Sequence, residues 1–277
     1  MNKLRILIAG CGDVGSTLGV TLATQGHQVF GLRRTINQLP SCIHPISADL
    51  SDKDTLSDLP DIDILIYCAA ATGRSENAYQ QAYINGFKNI YTALPQPPKH
   101  TFFTSSTSVY GQHQHEWIDE QSPTQSEQPS GQIMRQAEIA VLKSGNATVV
   151  RFSGIYGPGR NHLIDRVKNG SIARDDLHYS NRIHRDDCAG VLAHLIQRVN
   201  ENKPVDTLYL ASDLNPTPIR EITLWLAKQL DIETTYAVEI RRGGSKRCNS
   251  QRLQESGYQF LYPDYKAGFA LALSEQP

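Results

Sequence analysis

Leu4-Arg5-Ile6-Leu7-Ile8-Ala9-Gly10-Cys11-Gly12-Asp13-Val14-Gly15 runs from a short apolar stretch into a G-x-G-x-x-G spacing, and an amphipathic pattern from Val14 to Gln25 follows at once. Strand, glycine turn and helix in that order are the opening half of a βαβ unit that cradles a dinucleotide. Gly10 permits the tight turn, Gly12 lets a pyrophosphate approach the backbone, and Gly15 brings the helix close to the strand. Asp13 and Val14 lie in the same turn, at the helix N-terminus that would hold the phosphates.

Outward from this turn the first half of the chain alternates short apolar runs with longer helical patterns. Leu4 to Ala9, Gln28 to Leu32, Ile43 to Ser47, Ile62 to Cys68, Thr101 to Ser105 and Ala147 to Phe152 read as strands. Helices are expected at Val14 to Gln25, Glu76 to Ala93 and Gln132 to Lys143, with a short turn from Asp52 to Leu59. Strands apolar along their whole length and separated by helices imply a parallel sheet covered on both faces, the doubly wound α/β class. Thr107 to Ser130, rich in Gln, Ser, Pro and His, breaks the rhythm and reads as a lid or a disordered excursion. Further on, Asp186 to Val199 and Pro218 to Leu230 read as helices and Thr207 to Ala211 as a strand. The expected division is a dinucleotide-binding part, residues 1–152 with 183–212, and a substrate lobe, residues 153–182 with 213–277.

An acidic residue about 20 positions beyond the glycine turn would accept a ribose 2′-hydroxyl and select NAD. From Val14 to Ala48 there is no Asp or Glu, and the second strand ends instead in Arg33-Arg34. Guanidinium groups suit a 2′-phosphate, so NADP is the expected cofactor in preference to NAD.

The charge balance, 27 Lys plus Arg against 28 Asp plus Glu, provides no field to attract a polyanion, so a small-molecule substrate is expected and nucleic acid is not. Five cysteines, an odd number without a C-x-x-C pair, read as reduced thiols in a cytoplasm. No apolar run approaches the roughly 20 residues of a membrane helix, so no membrane partner is expected. His113 and His115 lack a companion Cys, Asp or Glu constellation, so no metal site is assigned.

The motifs along the chain together resemble the extended short-chain dehydrogenase/reductases, the NAD-dependent epimerase/dehydratase family. Asp49-Leu50 looks like the family's pair beside the adenine, Ala69-Ala70-Ala71 like its small-residue segment under the cofactor, and Asn85-Gly86 like part of the next helix. Phe103 to Gly111, with Thr104, Ser106 and Tyr110, is close to the fifth-strand signature. Arg151 to Pro158, with Tyr156, and Ile183 to Ala189, with His184, are similar to two later signatures. The resemblance implies Thr104 beside the cofactor, Ser106 as the catalytic serine and homodimerisation. Tyr110, Tyr156, Arg160, Asn161, Arg182 and His184 are the candidates for the substrate cleft. Asp186-Asp187 reads as the cap of the helix that follows.

The family's chemistry rests on a Tyr-x-x-x-Lys pair, whose lysine lowers the tyrosine pKa from about 10 so that it can exchange a proton as hydride moves. Aligned on Gly131 and Glu138, this chain has Ser130 in the tyrosine position and Met134 in the lysine position. Arg135 supplies a charge nearby, but about 100° around the helix. Retention of Ser106, the loop and a substrate lobe favours an NAD(P)-dependent epimerase, dehydratase or reductase acting on a sugar-like or other hydroxyl- or carbonyl-bearing molecule. The missing pair favours the alternative, a catalytically inactive NADP-binding regulatory or sensing protein.

Overall fold

A computed structural model describes residues 2–174, 177–233, 236–238 and 244–274. The apolar runs form one seven-stranded parallel sheet: β1 (Arg5–Ala9), β2 (Gln28–Arg33), β3 (His44–Ser47), β4 (Ile64–Tyr67), β5 (His100–Ser106), β6 (Ala147–Phe152) and β7 (Leu208–Ala211). Their order is β7-β6-β5-β4-β1-β2-β3, with Ile8 of β1 in register with Gly31 on one side and Ile66 on the other. The winding reverses between β1 and β4, and a ligand crevice belongs at the carboxyl ends of those strands.

The helices are α1 (Asp13–Thr24), α2 (Glu76–Tyr79), α3 (Gly86–Ala93), α4 (Pro129–Lys143), α5 (His162–Lys168), α6 (Arg185–Asn200), α7 (Ile219–Gln229), α8 (Gln251–Glu255) and α9 (Tyr265–Ser274). Alternation along the strands divides the core between the two faces of the sheet. Ile6 and Ile8 pack with Leu18 and Leu22 of α1 and with Val191 and Leu195 of α6. Leu7 and Ala9 face the other way, towards Phe87 and Ile90 of α3 and Ala137 and Val141 of α4. Each such large side chain contributes about 1.5 to 3 kcal/mol by leaving water. A smaller cluster, with Tyr156, Ile164, Val167, Leu226, Tyr265 and Phe269, fills the space among α5, α7 and α9.

Three sequence expectations need correction. Thr107 to Ser130 is ordered: it holds a 3-10 turn, Thr107–Val109, and a strand, Gln114–Ile118, paired in parallel with Ser245–Cys248. Asp119 stabilises its bend by accepting from the amides of Gln121 and Ser122, and Glu120 accepts from Leu210 N–H on the edge strand β7. A strand partner 130 residues away cannot be read from local composition. The run from Glu76 to Ala93 contains a π-helical segment, Gln80–Asn85, between α2 and α3. Finally, His184 caps α6 through Nδ1, which accepts from Asp186 N–H, while the buried Asp187 fastens the C-terminal segment. Its carboxylate accepts from Tyr258 Oη (2.7 Å) and from the amides of Leu261 (2.8 Å) and Tyr262 (3.0 Å).

No helix among the described residues is long and apolar enough to cross a membrane.

Candidate functional site

At the carboxyl ends of the strands lies a cleft of about 980 Å³, at the upper end of the range for ligand pockets. Gly10, Gly12, Asp13, Val14 and Gly15 line its floor. Gly10 has φ +82°, and a Cβ there would come within 2.5 Å of the Ala69 backbone, so only glycine lets the turn pass the end of β4. At Gly15 a Cβ would stand 3.0 Å from Ile8, which explains how closely α1 lies on β1. Gly12 is different: a Cβ would meet only Gly10 O, at 3.9 Å, so the space above it is open. Gly12 is also the N-cap of α1 and makes no side-chain cap. The amides of the first helical turn have no intrahelical acceptors and are available to a ligand. The cradle thus fits the pyrophosphate of a dinucleotide.

Arg33 and Arg34, at the end of β2, and Asp49 and Leu50, after β3, line the far end of the cleft. Arg33 Nη1 donates to Cys11 O at 3.4 Å, which lays the guanidinium along the turn. The Asp49 carboxyl is held below its ordinary pKa by the Ser51 N–H and hydroxyl, with a smaller contribution from Arg34. Leu50 O accepts from the buried Asn89 side chain at 2.9 Å, which ties this loop to α3. Ala69, Ala70 and Thr104 line the middle, and Thr104 Oγ1 donates to Tyr67 O at 3.1 Å.

At the other end the cleft reaches Ser106 and Met134. Ser106 Oγ accepts from Ser108 N–H at 3.1 Å, leaving its own proton to donate. Ser130 lies at the start of α4 and is not among the lining residues. Met134 is, so a thioether stands where the resemblance places an ammonium. Arg135 does not fill that role, because its Nη1 is turned to Glu138 Oε2 at 3.0 Å.

Glu138, fully buried, organises the wall behind this end. It accepts from Ser105 Oγ (2.6 Å) and from Arg151 Nε (2.8 Å) and Nη2 (2.7 Å), and Arg151 Nη1 reaches Tyr110 Oη at 2.8 Å. Removing one member of a buried ion pair leaves the other uncompensated, at a cost of about 3 to 5 kcal/mol. Glu138→Ala is therefore expected to lower the unfolding free energy by about that much in urea titration, and Glu138→Gln by less. A Glu138→Ala midpoint equal to wild type would show that the network carries no stability.

The residues expected to face a substrate separate. Arg160 lines the cleft and reaches Asp13. Tyr110 is buried, donates its hydroxyl to Asp119 O at 2.7 Å, and burial pushes its pKa up to about 12. Tyr156 and His184 are buried against each other, ring to ring at 5.3 Å, with Tyr262 on the imidazole. Asn161 precedes α5, and Arg182 lies over the Phe269 ring; neither is a lining residue. His113 and His115 face Gly111 O and Ser245 Oγ, and no group of three or more His, Cys, Asp or Glu among the described residues could hold a metal.

Sequence reading missed the contribution of the π-helical segment. Gln81, Ala82 and Tyr83 line the cleft, and Tyr83 Oη accepts from Ala71 N–H at 3.4 Å. An inserted π turn leaves no signature in residue type, although such turns gather at functional sites. Ser153 was missed too; it lines the cleft, buried, and its hydroxyl has no hydrogen-bond partner among the described residues.

A doubly wound parallel sheet with a glycine turn beside its switch point is the architecture of the nicotinamide-dinucleotide oxidoreductases. The chain belongs to the NAD dependent epimerase/dehydratase family, whose sequence profile matches residues 6–217. It is similar over 99% of its length, and over 98% of the other chain, to a Methylobacillus flagellatus protein named for the NAD-dependent epimerases/dehydratases (38% identity, TM-score 0.85). It is also similar to a human epimerase family protein solved with NADPH (18% identity, TM-score 0.81, 98% of this chain and 100% of that one). MoeE5 in complex with UDP-glucose and NAD matches over 96% of both chains (20% identity, TM-score 0.79). These last two likenesses speak to the fold alone. No curated protein matches the chain.

Proposed function

We propose that the chain binds NADP(H) along this cleft and acts on a small hydroxyl- or carbonyl-bearing molecule, sugar-like or other, without the family's Tyr/Lys pair. The observation that carries this reading is that one continuous cleft collects the glycine turn, Arg33 and Arg34, Asp49 and Ser106. The human likeness was solved with NADPH and the MoeE5 likeness with UDP-glucose and NAD, so this fold holds either nicotinamide dinucleotide, and the choice of NADP(H) rests on Arg33 and Arg34. When bound, the nicotinamide supplies a hydride donor or acceptor. Ser106 would hold the substrate oxygen through its free proton, and the segment from residue 153 to Arg160 would form the outer wall. The α5/α7/α9 cluster is read as the core of a substrate lobe.

Met134 favours one other reading, an NADP-binding sensor or regulator that keeps the nucleotide site without the reaction. Both readings require NADP(H) to bind more tightly than NAD(H). A charge-assisted hydrogen bond is worth about 1.5 to 3 kcal/mol, so the preference should be about tenfold or more. Calorimetric titration measures it, and the Arg33→Ala, Arg34→Ala double variant should lose it. Equal affinities in wild type, or a preference that survives in the variant, would remove the basis for NADP.

A further inference from the structure

Asp13 is out of place in a phosphate cradle. A carboxylate in the first turn of a helix suits the helix dipole, yet this one stands at the rim of the cleft where phosphate charge would be repelled. Two arginines neutralise it. Arg185, at the start of α6, donates Nη1 to Asp13 Oδ1 at 3.2 Å, and Arg160, from the turn before α5, donates Nε to Oδ2 at 2.8 Å.

The two contacts are unequal. Arg185 is 21% exposed and is also bonded to Asp186 at 2.9 Å, so it is fixed from both sides. Arg160 is 40% exposed, lines the cleft, and has Asp13 as its one ion-pair partner among the described residues. An ion pair that open to solvent holds weakly. A phosphate presents a guanidinium with a stronger, forked, charge-assisted acceptor. Arg160 is carried on Gly157-Pro158-Gly159, with its amide bonded to Gly157 O, so its backbone is held while the long side chain is left to rotate between partners.

We propose that Arg160 exchanges partners: Asp13 holds it at the cleft mouth until a dinucleotide enters, and its guanidinium then passes to the pyrophosphate while Arg185 stays on Asp13. Arg160 is thereby a cofactor-clamping residue, and Asp13 is a competitor that lowers cofactor affinity. The proposal rests on the cleft being the dinucleotide site.

The test is fluorescence titration of wild type, Arg160→Gln, Asp13→Asn and the double variant with NADPH, and with adenosine 2′-monophosphate, which lacks the pyrophosphate. Arg160→Gln should weaken NADPH about tenfold while leaving the monophosphate within about twofold. Asp13→Asn should tighten NADPH about threefold or more, and most of that gain should vanish in the double variant, because the two residues share one interaction. Unchanged NADPH affinity in Arg160→Gln, equal weakening of both ligands, or weaker binding by Asp13→Asn overturns the exchange. So does a gain that persists in full without Arg160, which would reduce Asp13 to simple repulsion. Wild type that binds no NADPH would overturn the functional reading and the exchange together, whereas the other failures leave that reading standing.

Discussion

Gly12→Val is expected to abolish NADP(H) binding while leaving the fold near wild type. A Cβ there meets nothing closer than 3.9 Å, so the valine methyls would occupy the space above the turn, and the backbone at φ −91°, ψ −141° needs only a modest adjustment of ψ to reach the extended region that valine prefers. That is the space a pyrophosphate must enter. In wild type, NADPH at about 100 times its dissociation constant should stabilise the protein by about 2.7 kcal/mol, a thermal shift of several degrees. Gly12→Val should show none of that shift and an unchanged circular dichroism spectrum. Gly10→Ala should behave in the opposite way and lose stability even without ligand, since its Cβ would strike the Ala69 backbone at a positive φ. A full thermal shift in Gly12→Val would mean that the phosphates bind elsewhere.

The second large effect concerns turnover. The cleft presents Ser106 and Met134 but neither the tyrosine nor the lysine of the resembling family, and Arg135 is committed to Glu138. General acid/base catalysis contributes typically about 10² to 10⁴-fold, so oxidation of NADPH with keto-sugars and simple carbonyl compounds should be slower by about that factor than a complete site allows. Loss of NADPH absorbance follows the reaction. Whatever rate is seen should fall further in Ser106→Ala. Rapid turnover that persists in Ser106→Ala would remove Ser106 from the mechanism and point to another acid, with Tyr67 and Tyr83 the tyrosines that line the cleft among the described residues.

The strands of the sheet, the glycine turn and the placing of Arg33 and Arg34 at the end of the second strand were all legible along the chain. Each rests on short-range rules: alternation within strands, a fixed glycine spacing, and two arginines at the end of β2, all of which act over a few residues. The strand from Ala147 to Phe152 falls where apolar periodicity put it. Which polar groups reach the Ser106 end of the cleft depends instead on segments far apart in the chain. Tyr110, Tyr156 and His184 carry polar groups that composition could assign to a cleft, but the fold buries them because Arg151, Asp264 and Tyr262, distant in sequence, take up their hydroxyls or pack against their rings. Asp187 read as a helix cap until Tyr258, Leu261 and Tyr262 were brought to it from 71 to 75 residues away. The contact of Arg160 with Asp13 spans 147 residues. Local pattern records the hydrophobic and backbone requirements of an element, whereas the partner of a charged or polar side chain is set by which segments the completed core brings together.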